Sequence, residues 1–105
     1  MATNLNENSF RDFVKSEWVV IDFSAESWCN PCKLLAPVFE EVSKELTSMQ
    51  FGKVDVDDEA ELASEFSVMS VPTIVVFHKG QEKGRVNGFM PKAVLKAKIN
   101  DIVKA

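Results

Sequence analysis

One stretch constrains the fold of this chain more than any other: Trp18-Val19-Val20-Ile21-Asp22-Phe23-Ser24. It is apolar almost without a break, which fits a strand buried on both faces, as in a parallel sheet covered by helices. From Lys33 to about Thr47, Leu34, Leu35, Val38, Phe39, Val42 and Leu46 recur at helical spacing. Pro37 falls inside that helix, where it should kink it. Phe51 to Val56 reads as the next strand, so the three segments form a βαβ unit. Ahead of it, Asn8 or Ser9 caps a helix running to about Glu17 that buries Phe10, Phe13 and Val14. Behind it, Asp57 to about Phe66 is a short helix with Leu62, Ala63 and Phe66 inward. Thr73–His78 and Glu82–Asn87 form a hairpin about the turn Lys79-Gly80-Gln81, which makes the sheet mixed. A last helix begins with Pro91 at N1 and turns Leu95, Ile99, Ile102 and Val103 inward. No repeat or linker interrupts the 105 residues, which read as one α/β layered domain.

Composition removes several classes of function. The formal net charge is −4 and the basic residues are scattered, so there is no nucleic-acid footprint. No apolar stretch is long enough to span a membrane. Met1 to Phe10 is polar and lacks the apolar core of a secretory signal. With two cysteines the chain is no disulfide-stapled secreted scaffold. The simplest expectation is a cytoplasmic monomer.

Those two cysteines stand in Trp28-Cys29-Asn30-Pro31-Cys32. At the start of a helix, positions i and i+3 share a face, with Cβ atoms roughly 5–6 Å apart. A disulfide needs about 3.8 Å, so a small adjustment interconverts dithiol and disulfide. Pro31 suits the first helical turn, which places the helix start near Cys29 or Asn30. Cys29 then meets the positive end of the macrodipole, which favours its thiolate. Cys32 lies one turn further in. Cys29 is therefore the expected nucleophile and Cys32 the resolving thiol. A purely structural disulfide would close a very short loop, to little effect. Structural zinc wants four ligands, against Cys29, Cys32 and the single histidine His78. A zinc site shared between chains stays open.

Taken together, Val20-Ile21-Asp22-Phe23-Ser24-Ala25, Trp28-Cys29-x-Pro31-Cys32-Lys33, Pro37, Lys53-Val54-Asp55-Val56-Asp57, Val71-Pro72-Thr73, Phe77-x-Lys79-Gly80 and Gly88 resemble the thioredoxin family along the whole length. Over residues 1–105 the resemblance implies one domain of thioredoxin fold, with a central mixed five-stranded sheet and four flanking helices. It also implies a protein-disulfide reductase in which Cys29 attacks a target disulfide and Cys32 resolves the mixed disulfide. Partners would be an NADPH-dependent thioredoxin reductase and disulfide-containing targets such as peroxiredoxins. The chain itself would carry no flavin, nicotinamide or metal. The alternatives are an oxidant or isomerase of less reducing potential, and a non-catalytic subunit that binds through its apolar rim.

The resemblance assigns further roles. Asp22 lies mid-strand, where a buried carboxyl has a raised pKa. On the residues alone it is either a satisfied core aspartate or a functional one. The resemblance makes it the proton acceptor and donor for Cys32, with Lys53 modulating it. Lys53 otherwise reads as a strand-edge lysine. Chain statistics put the bond before Pro72 in trans, whereas the resemblance makes it cis and lays it against the cysteines. There the Val71 backbone could pair with an extended substrate. Trp28, Val71, Pro72, Gly88 and Phe89 would form an apolar docking rim, although Phe89 could instead be buried in the core.

Two departures from the family pattern stand out. Asn30 replaces the usual glycine, and Asn30-Pro31 is the pair expected to tune redox poise. Glu26-Ser27 makes the segment before Trp28 one residue longer than the common spacing. His78 reads as a surface residue. The acidic run from Asp55 to Glu61 reads as a helix start complementing the dipole, not a calcium loop, because Ala60 and Phe66 stand where such a loop needs glycine and glutamate.

Overall fold

The computed structural model describes residues 1–105. One five-stranded sheet runs through the molecule. Its strands are β1 (Thr3–Asn4), β2 (Trp18–Ser24), β3 (Gln50–Asp55), β4 (Thr73–His78) and β5 (Gln81–Asn87), in the spatial order β1-β3-β2-β4-β5. β2 pairs parallel with β3 and antiparallel with β4, and β4 pairs antiparallel with β5. The helices are α1 (Glu7–Phe13), α2 (Asn30–Glu45), α3 (Ala60–Glu65) and α4 (Lys92–Lys104).

The apolar run of β2 occupies the centre of the sheet because it needs cover on both faces. Val19, Ile21 and Phe23 join Phe10 of α1 and Leu62 of α3 on one side. Val20 packs on the other side with Leu35, Phe39 and Val42 of α2 and with Leu95 and Ile99 of α4. Strand alternation therefore sends Asp22 toward the α2 face. Gly52 in β3 has no side chain because Leu5, Phe13 and Ile21 already fill the space a Cβ would need.

Local chemistry moved several expected boundaries. Asn6, not Asn8 or Ser9, caps α1, through a reciprocal capping box in which Ser9 N–H donates to Asn6 Oδ1 at 2.9 Å. That helix stops at Phe13, short of Glu17, with Val14 as its C-cap. Asp57 and Asp58 form a turn, their amides donating to Asp55 Oδ1, so α3 starts only at Ala60. Pro91 is the N-cap of α4 rather than N1. The hairpin turn is the two residues Lys79 and Gly80, both at positive φ (51° and 87°), the geometry that suits strand twist. Leu34 projects to solvent at 62% exposure despite its apolar character. His78 stacks on Trp18, with ring centroids 4.1 Å apart, because antiparallel register sets the two residues opposite. No helix is long and apolar enough to cross a membrane.

Candidate active site

Cys29 is the N-cap of α2, five residues past the carboxyl end of central β2. Glu26, Ser27 and Trp28 fill a turn closed by the Trp28 and Cys29 amides donating to the Ala25 carbonyl, at 3.2 and 2.9 Å. Glu26 and Ser27, the lengthened segment before Trp28, both lie in this turn. Pro31 lies in the first turn of α2, where its missing N–H leaves nothing unpaired.

The two cysteines form a disulfide with Cα atoms 5.2 Å apart. Their surroundings differ. Cys29 keeps a sliver of surface at 5% exposure, whereas Cys32 has none. The Cys32 backbone N–H donates to Cys29 Sγ at 3.2 Å. That contact and the helix end both favour negative charge on Cys29 once the disulfide opens. Cys32 Sγ accepts from the Ala25 N–H at 3.5 Å. Cys29 Sγ faces the Val71 carbonyl oxygen at 3.8 Å.

Below α2, Asp22 is fully buried, and neither carboxyl oxygen has a hydrogen-bond partner. Desolvation pushes its pKa up to about 7, with Lys53 opposing the rise and Glu26 adding to it. Register sets Asp22 directly beside Lys53 of β3 and Ile74 of β4. Lys53 pairs with Glu26 rather than with Asp22.

The remaining predicted residues gather at the same sheet end. The Val71–Pro72 peptide bond is cis. The Gly88 N–H donates to the Pro72 carbonyl at 2.8 Å. No backbone group of the chain pairs with the amide or carbonyl of Val71. Trp28, Val56, Val68, Met69 and Val71 line a shallow apolar hollow. Trp28 is 61% exposed and Phe89 44%, so Phe89 is no core residue. Asn30 is exposed beside Cys29.

Three neighbours escaped the sequence reading. Asp57 Oδ2 accepts from the Trp28 indole N–H at 2.7 Å, Glu26 holds Lys53, and Met69 stands almost wholly in solvent next to Trp28. Glu26 carried a signal as part of the lengthened segment before the motif, and Asp57 as the last residue of the stretch Lys53–Asp57 that resembles the family. The contacts themselves join distant parts of the chain.

A cysteine pair at a helix N-terminus, past the carboxyl end of a central strand, on a helix that covers the sheet face holding a buried carboxyl, defines a thiol–disulfide exchange domain. Comparison narrows the class. A thioredoxin family model matches residues 1–101. The thioredoxin of Mycoplasma pneumoniae is 48% identical over 81 residues, covering 77% of this chain and 78% of that one. The bifunctional thioredoxin reductase/thioredoxin of Mycobacterium leprae is 43% identical over 81% of this chain, which spans 19% of that longer protein. Among solved structures, the thioredoxin of Plasmodium falciparum superposes with a TM-score of 0.88 at 34% identity, covering 95% of this chain and 98% of that one. The chain belongs to the thioredoxin family. It is a protein-disulfide oxidoreductase with its cysteine pair in the active-site position.

Proposed function

We propose that residues 1–105 act as a single domain that reduces disulfides of other proteins, with Cys29 as nucleophile and Cys32 as resolving thiol. The observation that carries this reading is the asymmetry of the pair: Cys29 is the solvent-edge N-cap, and Cys32 is fully buried one turn into α2, the helix that covers the sheet face toward which Asp22 points. In the dithiol form, the Cys29 thiolate attacks one sulfur of the target disulfide. A mixed disulfide forms and the first target thiolate leaves, taking a proton from solvent. Asp22 accepts the proton of Cys32. The Cys32 thiolate then attacks Cys29 Sγ, the Cys29–Cys32 disulfide closes, and the second target thiolate departs. Two electrons pass to the target. A carboxyl whose pKa lies near 7 is matched to this proton transfer at neutral pH. Lys53 modulates Asp22.

Target docking falls to the rim of Trp28, Val71, Pro72, Gly88 and Phe89. The Val71 amide and carbonyl, which pair with no backbone group of the chain, suit strand addition by an extended segment beside the target cysteine. Asn30 and Pro31 tune the potential from their place next to Cys29. Re-reduction falls to an NADPH-dependent thioredoxin reductase, with which the family works. The fused reductase of the M. leprae relative supports that pairing. Disulfide-containing targets such as peroxiredoxins, a cytoplasmic location and a monomeric state complete the reading.

The test is trapping. Cys32→Ser should accumulate mixed disulfides between Cys29 and target proteins, whereas Cys29→Ser should accumulate none. If Cys32→Ser yields no adducts, the order of attack is wrong. Equilibration of the wild-type pair with a glutathione buffer then fixes the direction of flow. A potential near about −270 mV supports a reductase, and one of about −200 mV or higher an oxidant or isomerase.

A further inference from the structure

Lys53 stands directly beside Asp22 in the parallel register of β2 and β3, so both side chains leave the sheet on the α2 face. A lone cation next to a buried carboxyl is the usual way to satisfy its charge. That pairing is not made. Both oxygens of Asp22 lack a hydrogen-bond partner, and the Lys53 ammonium instead pairs with the Glu26 carboxylate. Glu26 sits in the turn between β2 and α2. It lines, with Ser24, Lys53, Asp55, Asp58 and Glu59, a polar cavity of about 350 Å³. The pair thus faces water while Asp22 faces the protein interior.

We propose that Glu26 is a positioning residue: it draws Lys53 to the mouth of the polar cavity and off Asp22, leaving Asp22 free to hold and release a proton. The inference rests on the reading of Asp22 as the proton carrier, and it adds the residue that governs Lys53. No other charge competes inside. From β4 the neighbour of Asp22 is Ile74. The buried side chains of α2 are Cys32, Leu35, Phe39, Val42 and Ser43, and those of α4 are Leu95 and Ile99. The charged groups that face Asp22 are therefore Lys53 and Glu26, consistent with the two that shift its titration. Asp55, Asp58 and Glu59 line the same cavity.

The experiment is a carboxyl-carbon NMR titration of Asp22 in the full oxidised chain. It compares wild type, Glu26→Gln, Lys53→Met and the double variant, with Asp58→Asn as a control for simple loss of negative charge. Glu26 is partly exposed in a turn, so Glu26→Gln leaves the core untouched. Glu26→Gln should lower the Asp22 midpoint by about one pH unit, because Lys53 is released toward the carboxylate. Asp58→Asn should move it much less. In the Lys53→Met background the Glu26→Gln shift should shrink by about half or more, the non-additivity expected of residues that act through one another. An unmoved midpoint in Glu26→Gln overturns the proposal. So does an equal shift in both backgrounds, which would make Glu26 a charge acting alone.

The pH profile of the single-turnover resolution step separates the two readings. A midpoint that falls while the rate profile stays in place leaves Glu26 as the positioner of Lys53 and removes Asp22 from the chemistry. A rate profile that follows the midpoint supports both.

Discussion

On one face of the sheet, Phe10, Phe66 and Phe77 meet ring to ring, with centroids 5.4 to 5.8 Å apart. Every buried member of that cluster is hydrocarbon. On the other face, Asp22 lies fully buried without a hydrogen bond, under the helix that carries both cysteines. The first face does what folding alone asks of a sheet: it removes apolar area from water. The second holds a group whose ionised form is costly where it stands. The difference separates what makes the molecule stable from what makes it reactive, and substitutions on the two faces should behave differently.

The largest effect belongs to the hydrocarbon face. Phe10→Ala removes a fully buried ring that touches Phe23, Phe66 and Phe77. It should lower stability by about 3–5 kcal/mol, read from urea unfolding. Below the transition, the rate of disulfide exchange per folded molecule should not change. A large loss of exchange rate in the folded variant would show that the two faces are coupled.

Asp22→Asn should do the reverse: raise stability and slow the chemistry. The native carboxyl holds its proton up to about pH 7, against an ordinary value of 3.8. Between those values the folded state binds a proton that the unfolded state has lost, so wild-type stability falls as pH rises through that window. The asparagine has no such term. Its advantage should be near zero at about pH 4 and grow to about 4 kcal/mol above pH 8, from roughly three pH units at 1.36 kcal/mol each. Denaturation of the oxidised forms at both pH values measures it. Over the same range the resolution step should slow about a hundredfold. A stability difference independent of pH would mean that Asp22 is ionised and satisfied in the native protein.

The rim gives a smaller effect. Trp28 is largely exposed, and its indole N–H is held by Asp57 at 2.7 Å. Asp57→Leu removes the acceptor and leaves the ring free to turn. At about 1 kcal/mol for such a bond, reduction of a folded protein target should slow roughly fivefold. Reaction of Cys29 with a small disulfide, which needs no rim, should hold its rate. Equal slowing of both would place Asp57 in the chemistry rather than in docking.

How much of this was legible depends on how local each signal is. The buried run of β2, the amphipathic stripe of α2 and the hairpin come from patterns within a few residues of chain, and the structure places them within one or two residues of expectation. β1 is two residues long, too short for any periodicity, and reached the expected sheet only through the family resemblance. Leu34 carries the hydrophobic signal of its helix but points away from the sheet. The cysteine pair was legible because its spacing is its chemistry. The Glu26–Lys53, Trp28–Asp57 and Trp18–His78 pairs join residues far apart in sequence, and only the fold brings them into contact. Asp22 shows both sides: its burial follows from β2, but its lack of any partner depends on where Lys53 goes.

The smallest effect offers the cleanest control on the contrast between the faces. Asn6 caps α1, the helix that presents Phe10 to the hydrocarbon face, and exchanges hydrogen bonds with Ser9 in a capping box. Asn6→Ala frees the α1 amides and should cost about 0.5–1 kcal/mol. Neither partner ionises, so the loss should be the same at pH 5 and at pH 8, where Asp22→Asn changes most. Urea unfolding of the oxidised protein at both pH values reads the two variants side by side. A flat loss for Asn6→Ala beside a pH-dependent gain for Asp22→Asn would locate the titrating energy on the α2 face. A loss that followed pH at Asn6 would mean that ionisation on one face is felt across the sheet, and the division between stabilising and reactive faces would fail.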